Sequence, residues 1–325
     1  MTRKFILDCD TAEDDITSFL LLLSYGAEVL GITVVEGNIS FQQEVNNALW
    51  AVEFSGTETP VYIGADRPLV KSFVTVEDVH GEGGVGGTKM TPTRLKPDPK
   101  HAVDAIVELS DRYAGELEVM AISPLTNIAM AMLKDRRVAE RLKAIYIMGG
   151  TIYGRGNITP VAEYNFWVDP DAAKIVLKSG ANMIMLPWEV AVKNAIDDGT
   201  WNRMQSLETT MAKYYVQSYR HYRDFATKRQ GMRGHPHPDV LTTAVALDRS
   251  VATDVRRERV DVENCDCLTR GSTVIDYTGP GHVNGYFMGK MIKLGGEMDV
   301  VYEVDYERFV KMVMNLLNWQ PHHSS

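Results

Sequence analysis

Short apolar runs alternate with helix-length segments through the first 190 residues. The runs cover Phe5–Leu7, Val29–Val35, Val61–Gly64, Glu118–Ile122, Ala144–Met148 and Met183–Leu186. Continuous apolar strands that alternate with helices are typical of a parallel sheet that is covered on both faces. We therefore predict an α/β fold: an open, mostly parallel, Rossmann-like sheet with helices on both faces. We expect a single domain over residues 1–325.

The pattern changes after Ile196 to long helical stretches and short strands. Within Met211–Gln230, aromatic residues recur at roughly helical spacing: Tyr214, Tyr215, Tyr219, Tyr222 and Phe225. Core packing explains such a stripe, and stacking on an aromatic ligand is the alternative. An apolar helix is predicted from Val240. Short strands around Thr273–Ile275, Val283–Phe287 and Met298–Val304 then precede a last helix near Tyr306–Leu317.

Four carboxylates follow the first predicted strand within eight residues: Asp8, Asp10, Asp14 and Asp15. Carboxylates crowded in this way repel one another and raise one another's pKa values unless a cation holds them. Such a density of hard oxygen ligands favours Ca²⁺ or Mg²⁺ over zinc. A preference of acids for the positive end of the following helix would explain only Asp14 and Asp15.

Polar residues also follow the later strands, namely Asn38, Thr126, Asn127 and the loop at Gly150. The carboxyl ends of parallel strands share one edge of a sheet, and open α/β sheets bind their ligands there. We therefore expect these residues to converge with the acidic cluster at one ligand site.

Two long segments lack a regular pattern. Gly64–Lys100 contains His80 before a glycine-rich run, and it is either a flexible surface loop or a binding element in which His80 contacts the ligand. Thr151–Val168 contains Asn157, Glu163 and Asn165, which can form caps and turns. In an extended chain Glu163 and Asn165 would point to the same side and could hold two hydroxyl groups of one ligand.

The charge and composition exclude several classes of protein. A formal net charge of −9 argues against a nucleic-acid partner. The longest apolar stretch near the start falls well short of the roughly 20 residues that span a membrane, and no signal-peptide pattern is visible, so we expect a cytoplasmic protein. Three cysteines, with a lone C-x-C at Cys265 and Cys267, predict neither a disulfide framework nor a zinc site.

The motifs, taken in their order along the chain, resemble those of nucleoside hydrolases of the inosine–uridine-preferring type. The pattern Asp-x-Asp-x-x-x-Asp-Asp is present at Asp8–Asp15, and further similar segments follow in order: VEGN, VHGEGGVGG, SPLTNIA, MGG, GNITPVAEYNFWVDPDAA and TRGSTVIDYTG. Asp239 before its helix completes the set. The resemblance covers nearly the whole chain.

This resemblance implies one Ca²⁺ at the bottom of the pocket. The carboxylates of Asp10, Asp15 and Asp239 and the backbone carbonyl of Thr126 would bind it, with water and the ribose 2′- and 3′-hydroxyls completing the shell. Asp10 would also be the general base that activates the water. The resemblance further implies a homodimer or homotetramer.

The resemblance also implies which residues hold the nucleoside. The ribose hydroxyls would be bound by Asp14, Asn157, Glu163 and Asn165, and Asn38 would hold either the ribose or the aspartates in place. Because these contacts are made to ribose hydroxyls, 2′-deoxynucleosides should be poor substrates.

The chain departs from the family pattern at three places. Thr11, Ala12 and Glu13 replace a common Pro-Gly-x, so Glu13 adds charge near the site. Pro238 stands between His237 and Asp239, where the family often has its histidine acid. Leaving-group activation is therefore assigned to His237, to His80, to a tyrosine such as Tyr222, or to solvent. Trp188, in the segment PWEVA, either lines the pocket or packs in the core.

The resemblance therefore implies a Ca²⁺-dependent enzyme that cleaves the N-glycosidic bond of ribonucleosides through an oxocarbenium-like transition state. Two alternatives stay open: a hydrolase of an unusual N-riboside metabolite, and a non-catalytic ribose- or nucleoside-binding protein. Asp10 argues against the non-catalytic binding protein, since binding alone needs no general base beside the cation.

Overall fold

The computed structural model describes residues 2–92, 94–276, 286–287, 290–291 and 294–321. Its strands are β1 (Lys4–Cys9), β2 (Glu28–Val34), β3 (Val61–Ile63), β4 (Leu117–Ala121), β5 (Ala144–Met148), β6 (Met183–Leu186), β7 (Ile196–Asp197), β8 (Gly234–His235), β9 (Ala252–Val262), β10 (Thr273–Ile275), β11 (Tyr286–Phe287), β12 (Lys290–Met291) and β13 (Gly296–Val304).

The helices of the described residues are α1 (Glu13–Ser24), α2 (Phe41–Ser55), α3 (Glu77–His80), α4 (Ala102–Arg112), α5 (Thr126–Lys134), α6 (Val138–Arg141), α7 (Tyr164–Val168), α8 (Pro170–Leu177), α9 (Trp188–Lys193), α10 (Asp198–Gln205), α11 (Thr210–Asp224), α12 (Pro238–Leu247) and α13 (Tyr306–Leu317). A π-helical turn, Phe225–Arg229, continues α11, and a 3₁₀ turn, Arg249–Val251, follows α12.

One mostly parallel sheet organises the molecule. Its strand order is β10-β9-β13-β6-β5-β4-β1-β2-β3, and the strands from β13 to β3 pair in parallel. β9 runs antiparallel to both β13 and β10. The α/β, mostly parallel prediction is therefore confirmed, and the antiparallel pairs lie at one edge.

The core lies on the two faces of this sheet. In β1 the side chains of Phe5, Ile6 and Leu7 are almost completely buried, as a central parallel strand requires. The helices pack in two groups: α1 contacts α2, α11, α12 and α13, whereas α5 contacts α4, α6 and α8. In the described part of the chain, no helix is long and apolar enough to cross a membrane.

β9 was not predicted from the sequence. Its segment ATDVRRERVDV has no apolar run, because much of the strand is exposed and carries charge. Arg257 and Arg259 form ion pairs with Asp299 and Glu297 on β13. Opposite charges across neighbouring strands stabilise an exposed sheet edge. The strand predicted at Val283–Phe287 lies largely outside the described residues, apart from β11.

Both irregular segments contain a short helix that was not predicted. His80 is the last residue of α3, within Gly64–Lys100. α7 begins at Tyr164, and Glu163 is its N-cap residue. The prediction of an extended segment through Glu163 and Asn165 is therefore wrong. The Glu163 carboxylate accepts hydrogen bonds from the backbone amides of Asn165 and Phe166 and so favours the start of a helix.

Candidate active site

A cavity opens at the carboxyl edge of the sheet. Its charged and polar lining residues are Asp14, Asn38, His80, Asn157, Glu163, Asn165, Gln230 and Asp239. Its apolar and aromatic lining residues are Val76, Val79, Ile122, Met148, Ile158, Tyr164, Trp188, Tyr222, Phe225 and Pro238. The cavity therefore combines a carboxylate-rich part with amide side chains and aromatic walls, as small-ligand sites do.

The carboxylates of the acidic turn converge with Asp239. Carboxylate oxygens of Asp14, Asp15 and Asp239 lie within 4.8 Å of one another. One oxygen each of Asp10, Asp14 and Asp15 is buried without a hydrogen-bond partner. Burial raises the pKa values of Asp10, Asp15 and Asp239, and their mutual repulsion raises them further. Buried, unpartnered oxygens on mutually repelling carboxylates are a cluster that could hold a metal ion.

Asp8 supports the turn rather than lining the cavity. Its carboxylate accepts hydrogen bonds from the Thr33 hydroxyl (2.6 Å) and the Asn127 side-chain amide (2.9 Å). The Ser123 hydroxyl donates to the Asp8 backbone carbonyl at 3.1 Å. Asp8 therefore ties the end of β1 to β2 and to the segment after β4. Burial raises its pKa to about 7.

The position of Asp10 is set by the turn after β2. The backbone N–H of Asn38 donates to Asp10 Oδ2 at 2.9 Å, and the Asn38 carbonyl accepts from Val76 N at 2.7 Å. Gly37 makes this approach possible, because a Cβ at this residue would lie 1.8 Å from Asp10 Oδ2. The loop that contains α3 is thus joined to the turn that holds Asp10.

Thr126, the first residue of α5, is fixed through its hydroxyl group. Its Oγ1 lies 2.7 Å from Glu36 Oε1 and 2.8 Å from Asp169 Oδ2. The Thr126 hydroxyl is thus within hydrogen-bond distance of an oxygen of each carboxylate, and burial raises the pKa of Glu36 to about 9. This buried chain holds Thr126 firmly at the start of its helix.

Three predicted ribose contacts come from the segment around α7. The Asn165 side-chain nitrogen donates to the carbonyls of Ile122 (3.3 Å) and Met148 (3.2 Å), at the ends of β4 and β5. Glu163 accepts from the amides of Asn165 and Gly150 at 2.8 and 2.9 Å, and burial raises its pKa to about 7. Asn157 Oδ1 accepts from Tyr164 N at 2.8 Å. All three line the cavity from rigidly held positions.

His80 reaches the cavity from α3 and is held on two sides. Its Nδ1 lies 3.0 and 3.1 Å from the two oxygens of Glu13, and its ring stacks on Tyr222 at 5.6 Å with an interplanar angle of 10°. Burial lowers the pKa of His80, but the charge and hydrogen bond of Glu13 and the charges of Asp14 and Asp10 together outweigh it, and the net result is a pKa of about 9. Both explanations for the aromatic stripe hold in part. Tyr222 and Phe225 line the cavity, and Tyr222 also packs in the core, whereas Tyr214, Tyr215 and Tyr219 belong to the core alone.

His237 does not line the cavity, in contrast to its predicted catalytic role. Its Nε2 is hydrogen-bonded to the Tyr215 hydroxyl, and its Nδ1 lies 3.3 Å from the His235 carbonyl. Pro238 lines the cavity instead, as the first residue of α12. The proline thus takes the place next to Asp239, and burial lowers the pKa of His237 to about 3. Trp188, by contrast, both lines the cavity and packs in the core.

Sequence reasoning missed several residues of the site. Val76 and Val79 line the cavity from the segment Gly64–Lys100, whose path no sequence pattern indicates, and Gln230 lines it directly after the π-helical turn. Phe225, in contrast, belongs to the aromatic stripe that the sequence singled out, and it lines the cavity. Glu13 was noted only as an added charge, because its partner His80 is 67 residues away.

A parallel α/β sheet with clustered carboxylates and an amide-lined cavity at its carboxyl edge is typical of an α/β enzyme that binds a small ligand there, and the carboxylates could hold a metal ion. A family model described as "Inosine-uridine preferring nucleoside hydrolase" matches residues 5–311. The chain therefore belongs to the inosine-uridine preferring nucleoside hydrolase family, and it is an N-ribosyl hydrolase.

Individual relatives agree with this family assignment. The inosine-uridine preferring nucleoside hydrolase of Leishmania major is 31% identical over 323 residues, 98% of either chain. Uridine nucleosidase 1 of Arabidopsis thaliana is 33% identical over 249 residues, which cover 75% of this chain and 74% of the plant protein. The structure of the purine-preferring ribonucleoside hydrolase from Gardnerella vaginalis superposes with a TM-score of 0.85 at 29% identity, covering 97% of this chain and 98% of that one.

Proposed function

We propose that this chain hydrolyses ribonucleosides to ribose and free base, with one Ca²⁺ in the carboxylate cluster and Asp10 as general base. The observation that supports this most is the set of buried, unpartnered oxygens on Asp10, Asp14 and Asp15 beside Asp239. Buried carboxylates in this number need a cation, and hard oxygen donors favour Ca²⁺.

The residues proposed to hold the cation are the carboxylates of Asp10, Asp15 and Asp239 and the backbone carbonyl of Thr126. The chain from Glu36 through Thr126 to Asp169 supports this, since it fixes the first turn of α5. When bound, Ca²⁺ would lower the pKa of a water molecule in its shell and so supply the nucleophile at neutral pH.

Asp10 is suited to take the proton of that water. Its Oδ2 is occupied by the Asn38 amide, whereas its Oδ1 is buried and free. One oxygen therefore orients the carboxylate while the other remains available as the base. The water then attacks C1′ as the bond to the nucleobase breaks through an oxocarbenium-like transition state.

The ribose hydroxyls are proposed to contact Asp14, Asn38, Asn157, Glu163 and Asn165. The Nδ2 of Asn165 donates to backbone carbonyls, so its Oδ1 remains to accept a hydrogen bond from a ribose hydroxyl. Held in this way by fixed acceptors, the ribose presents C1′ to the water in an attack geometry.

The departing base is proposed to receive a proton from His80, with Tyr222 and Trp188 in the walls beside it. His237 is left out, because both of its ring nitrogens contact protein atoms away from the cavity. Aromatic side chains in the cavity wall can stack on purines and pyrimidines alike. Relatives named for purine nucleosides and for uridine both occur, and we propose N-ribosides of either class as substrates.

We further propose that residues 1–325 form one catalytic domain in a cytoplasmic homodimer or homotetramer. A continuous hydrophobic cluster that extends from β1 to α13 supports the single domain. The resemblance to the family supports the oligomer, and the net charge of −9 is in accord with a partner other than nucleic acid.

A substrate panel tests the proposed function. Purified protein loaded with Ca²⁺ is incubated with inosine, adenosine, guanosine, uridine and cytidine, and released reducing sugar is measured with and without a chelator. We expect sugar release from at least one nucleoside and its loss on chelation. No release from any of the five would overturn the ribonucleoside assignment and favour an unusual N-riboside; release that persists in chelator would overturn the role of the cation.

A further inference from the structure

Glu13 is a fully buried carboxylate in the first turn of α1, directly before Asp14. It does not line the cavity, and its two oxygens lie 3.0 and 3.1 Å from His80 Nδ1. A buried carboxylate without a cationic or hydrogen-bonding partner destabilises a protein strongly. The pairing of Glu13 with His80 therefore accounts for how the chain tolerates an acid here.

The pair lies directly beside the acidic cluster. Asp10, Asp14, Asp15 and Asp239 are four buried carboxylates. A ring nitrogen of His80 lies within 4.8 Å of carboxylate oxygens of both Glu13 and Asp14. Glu13 therefore holds the histidine at the edge of this cluster.

The geometry around the ring determines which nitrogen is available to a ligand. Since Nδ1 faces a carboxylate, Nδ1 carries a proton and donates it to Glu13. Parallel stacking on Tyr222 fixes the plane of the ring. With Nδ1 engaged and the ring in the cavity wall, Nε2 is the nitrogen that remains to contact a ligand.

We propose that Glu13 is a positioning residue for leaving-group protonation: it holds His80 with Nδ1–H on the carboxylate and Nε2–H available to the departing base. This inference rests on the proposed function. As the C1′–N bond breaks, its electron pair stays on the base, and the base takes the Nε2 proton. The neutral His80 is reprotonated from solvent, and the proton that Asp10 took from water returns to solvent.

Two substrates with different leaving groups test this role. Uridine needs its base protonated as it departs, whereas 4-nitrophenyl β-D-ribofuranoside releases a stable anion that needs no acid. Because general acid catalysis contributes about 10²–10⁴-fold, Glu13→Gln should lower kcat/KM on the nucleoside by about tenfold or more and on the aryl riboside by less than about threefold. Inosine replaces uridine if the panel shows a purine preference.

Glu44→Gln is the matched control. Glu44 is also fully buried, and its carboxylate accepts the Ile39 amide at 3.1 Å rather than a histidine. Its change to glutamine should leave the ratio of kcat/KM between the two substrates at the wild-type value. A shifted ratio in this variant would mean that loss of any buried carboxyl group near the site produces the effect, and would overturn the specific role of Glu13.

A double-mutant cycle shows whether Glu13 acts through His80. His80→Asn keeps a donor near Glu13 but has no group at the Nε2 position. In the His80→Asn background, Glu13→Gln should change nucleoside turnover by less than about twofold. A full additional loss in this background, or an equal loss on both substrates in the single variant, would overturn the proposal.

The wild-type protein provides a test that does not depend on the folding of any variant or on turnover. In protein labelled with ¹⁵N-histidine, the His80 signals are assigned by their absence from His80→Asn. We expect a protonated Nδ1. A neutral ring protonated only at Nε2 would overturn the role of Glu13. If Nδ1 is protonated but no nucleoside is cleaved, the proposed function fails while the Glu13–His80 pair stands.

Discussion

Gly37→Ala tests whether the turn after β2 sets the position of Asp10. The new Cβ would lie 1.8 Å from Asp10 Oδ2 and 2.5 Å from its Cγ. Non-bonded heavy atoms settle at roughly 3.5 Å, so the carboxylate or the turn must move by more than about 1 Å. The turn has little freedom to move, because the Gly37 carbonyl accepts from the Tyr164 hydroxyl at 2.7 Å and the Asn38 amide donates to Asp10.

A displacement of this size should affect activity far more than stability. Misplacing a catalytic group by about 1 Å can lower the rate 10²-fold, whereas overpacking a buried site costs about 1–3 kcal/mol of folding free energy. We therefore expect kcat/KM on the preferred nucleoside to fall about 100-fold, with a modest drop in Tm. The assay is initial-rate release of reducing sugar at saturating Ca²⁺.

Gly199→Ala in α10 is the control for this change. Its nearest neighbour would be Asp197 Oδ1 at 3.5 Å, an ordinary contact, so kcat/KM should stay at the wild-type value. A Gly37→Ala variant that keeps more than about a third of wild-type kcat/KM would refute the reasoning. Asp10 would then be either positioned by other contacts or not the base.

Two further predictions concern the second histidine and the acidic cluster. His237→Gln should change kcat/KM on nucleosides by less than about fivefold, whereas His80→Asn should lower it about 100-fold. The reason is that, of these two histidines, only His80 lines the cavity. A larger loss from His237→Gln would indicate that His237 is the general acid. In metal-free protein, burial and mutual repulsion raise the folded-state pKa values of Asp10 and Asp239 above their unfolded values. Protonation of these two groups therefore favours the folded state. Their contribution to the free energy of unfolding should be largest below about pH 4 and should fall as the pH rises towards about 8, the pKa of Asp10. Saturating Ca²⁺ should flatten this dependence in urea titrations, and a metal-free protein that gains stability over the same pH range would contradict it.

The sheet could be predicted closely where it is buried on both faces. β5 and β6 have the predicted bounds, because a central parallel strand is a continuous apolar run. β9 could not be predicted from hydrophobicity, since its exposed arginines are stabilised by acids on β13 that follow about 40 residues later in the chain.

The location of three candidate site residues at the cavity could be predicted from their places in the chain. Asp14, Asn38 and Asp239 lie in the cavity wall because each follows a strand or begins a helix at the sheet edge. The conformation of Glu163 was not predictable in the same way, because its carboxylate binds backbone amides that become available only when α7 forms. The Glu13–His80 contact depends on the path of an irregular loop, which local sequence does not determine.

Asp10→Asn tests the central claim most directly. Asparagine keeps the size of the side chain and an oxygen that can accept from the Asn38 amide, but it cannot take a proton from water. Turnover of the preferred ribonucleoside is measured beside Ca²⁺ affinity by calorimetry, at Ca²⁺ concentrations that saturate the variant. We predict that turnover falls at least about 10³-fold in variant protein that is saturated with Ca²⁺. Turnover within about tenfold of the wild-type value at full Ca²⁺ occupancy would contradict the role of Asp10 as the base.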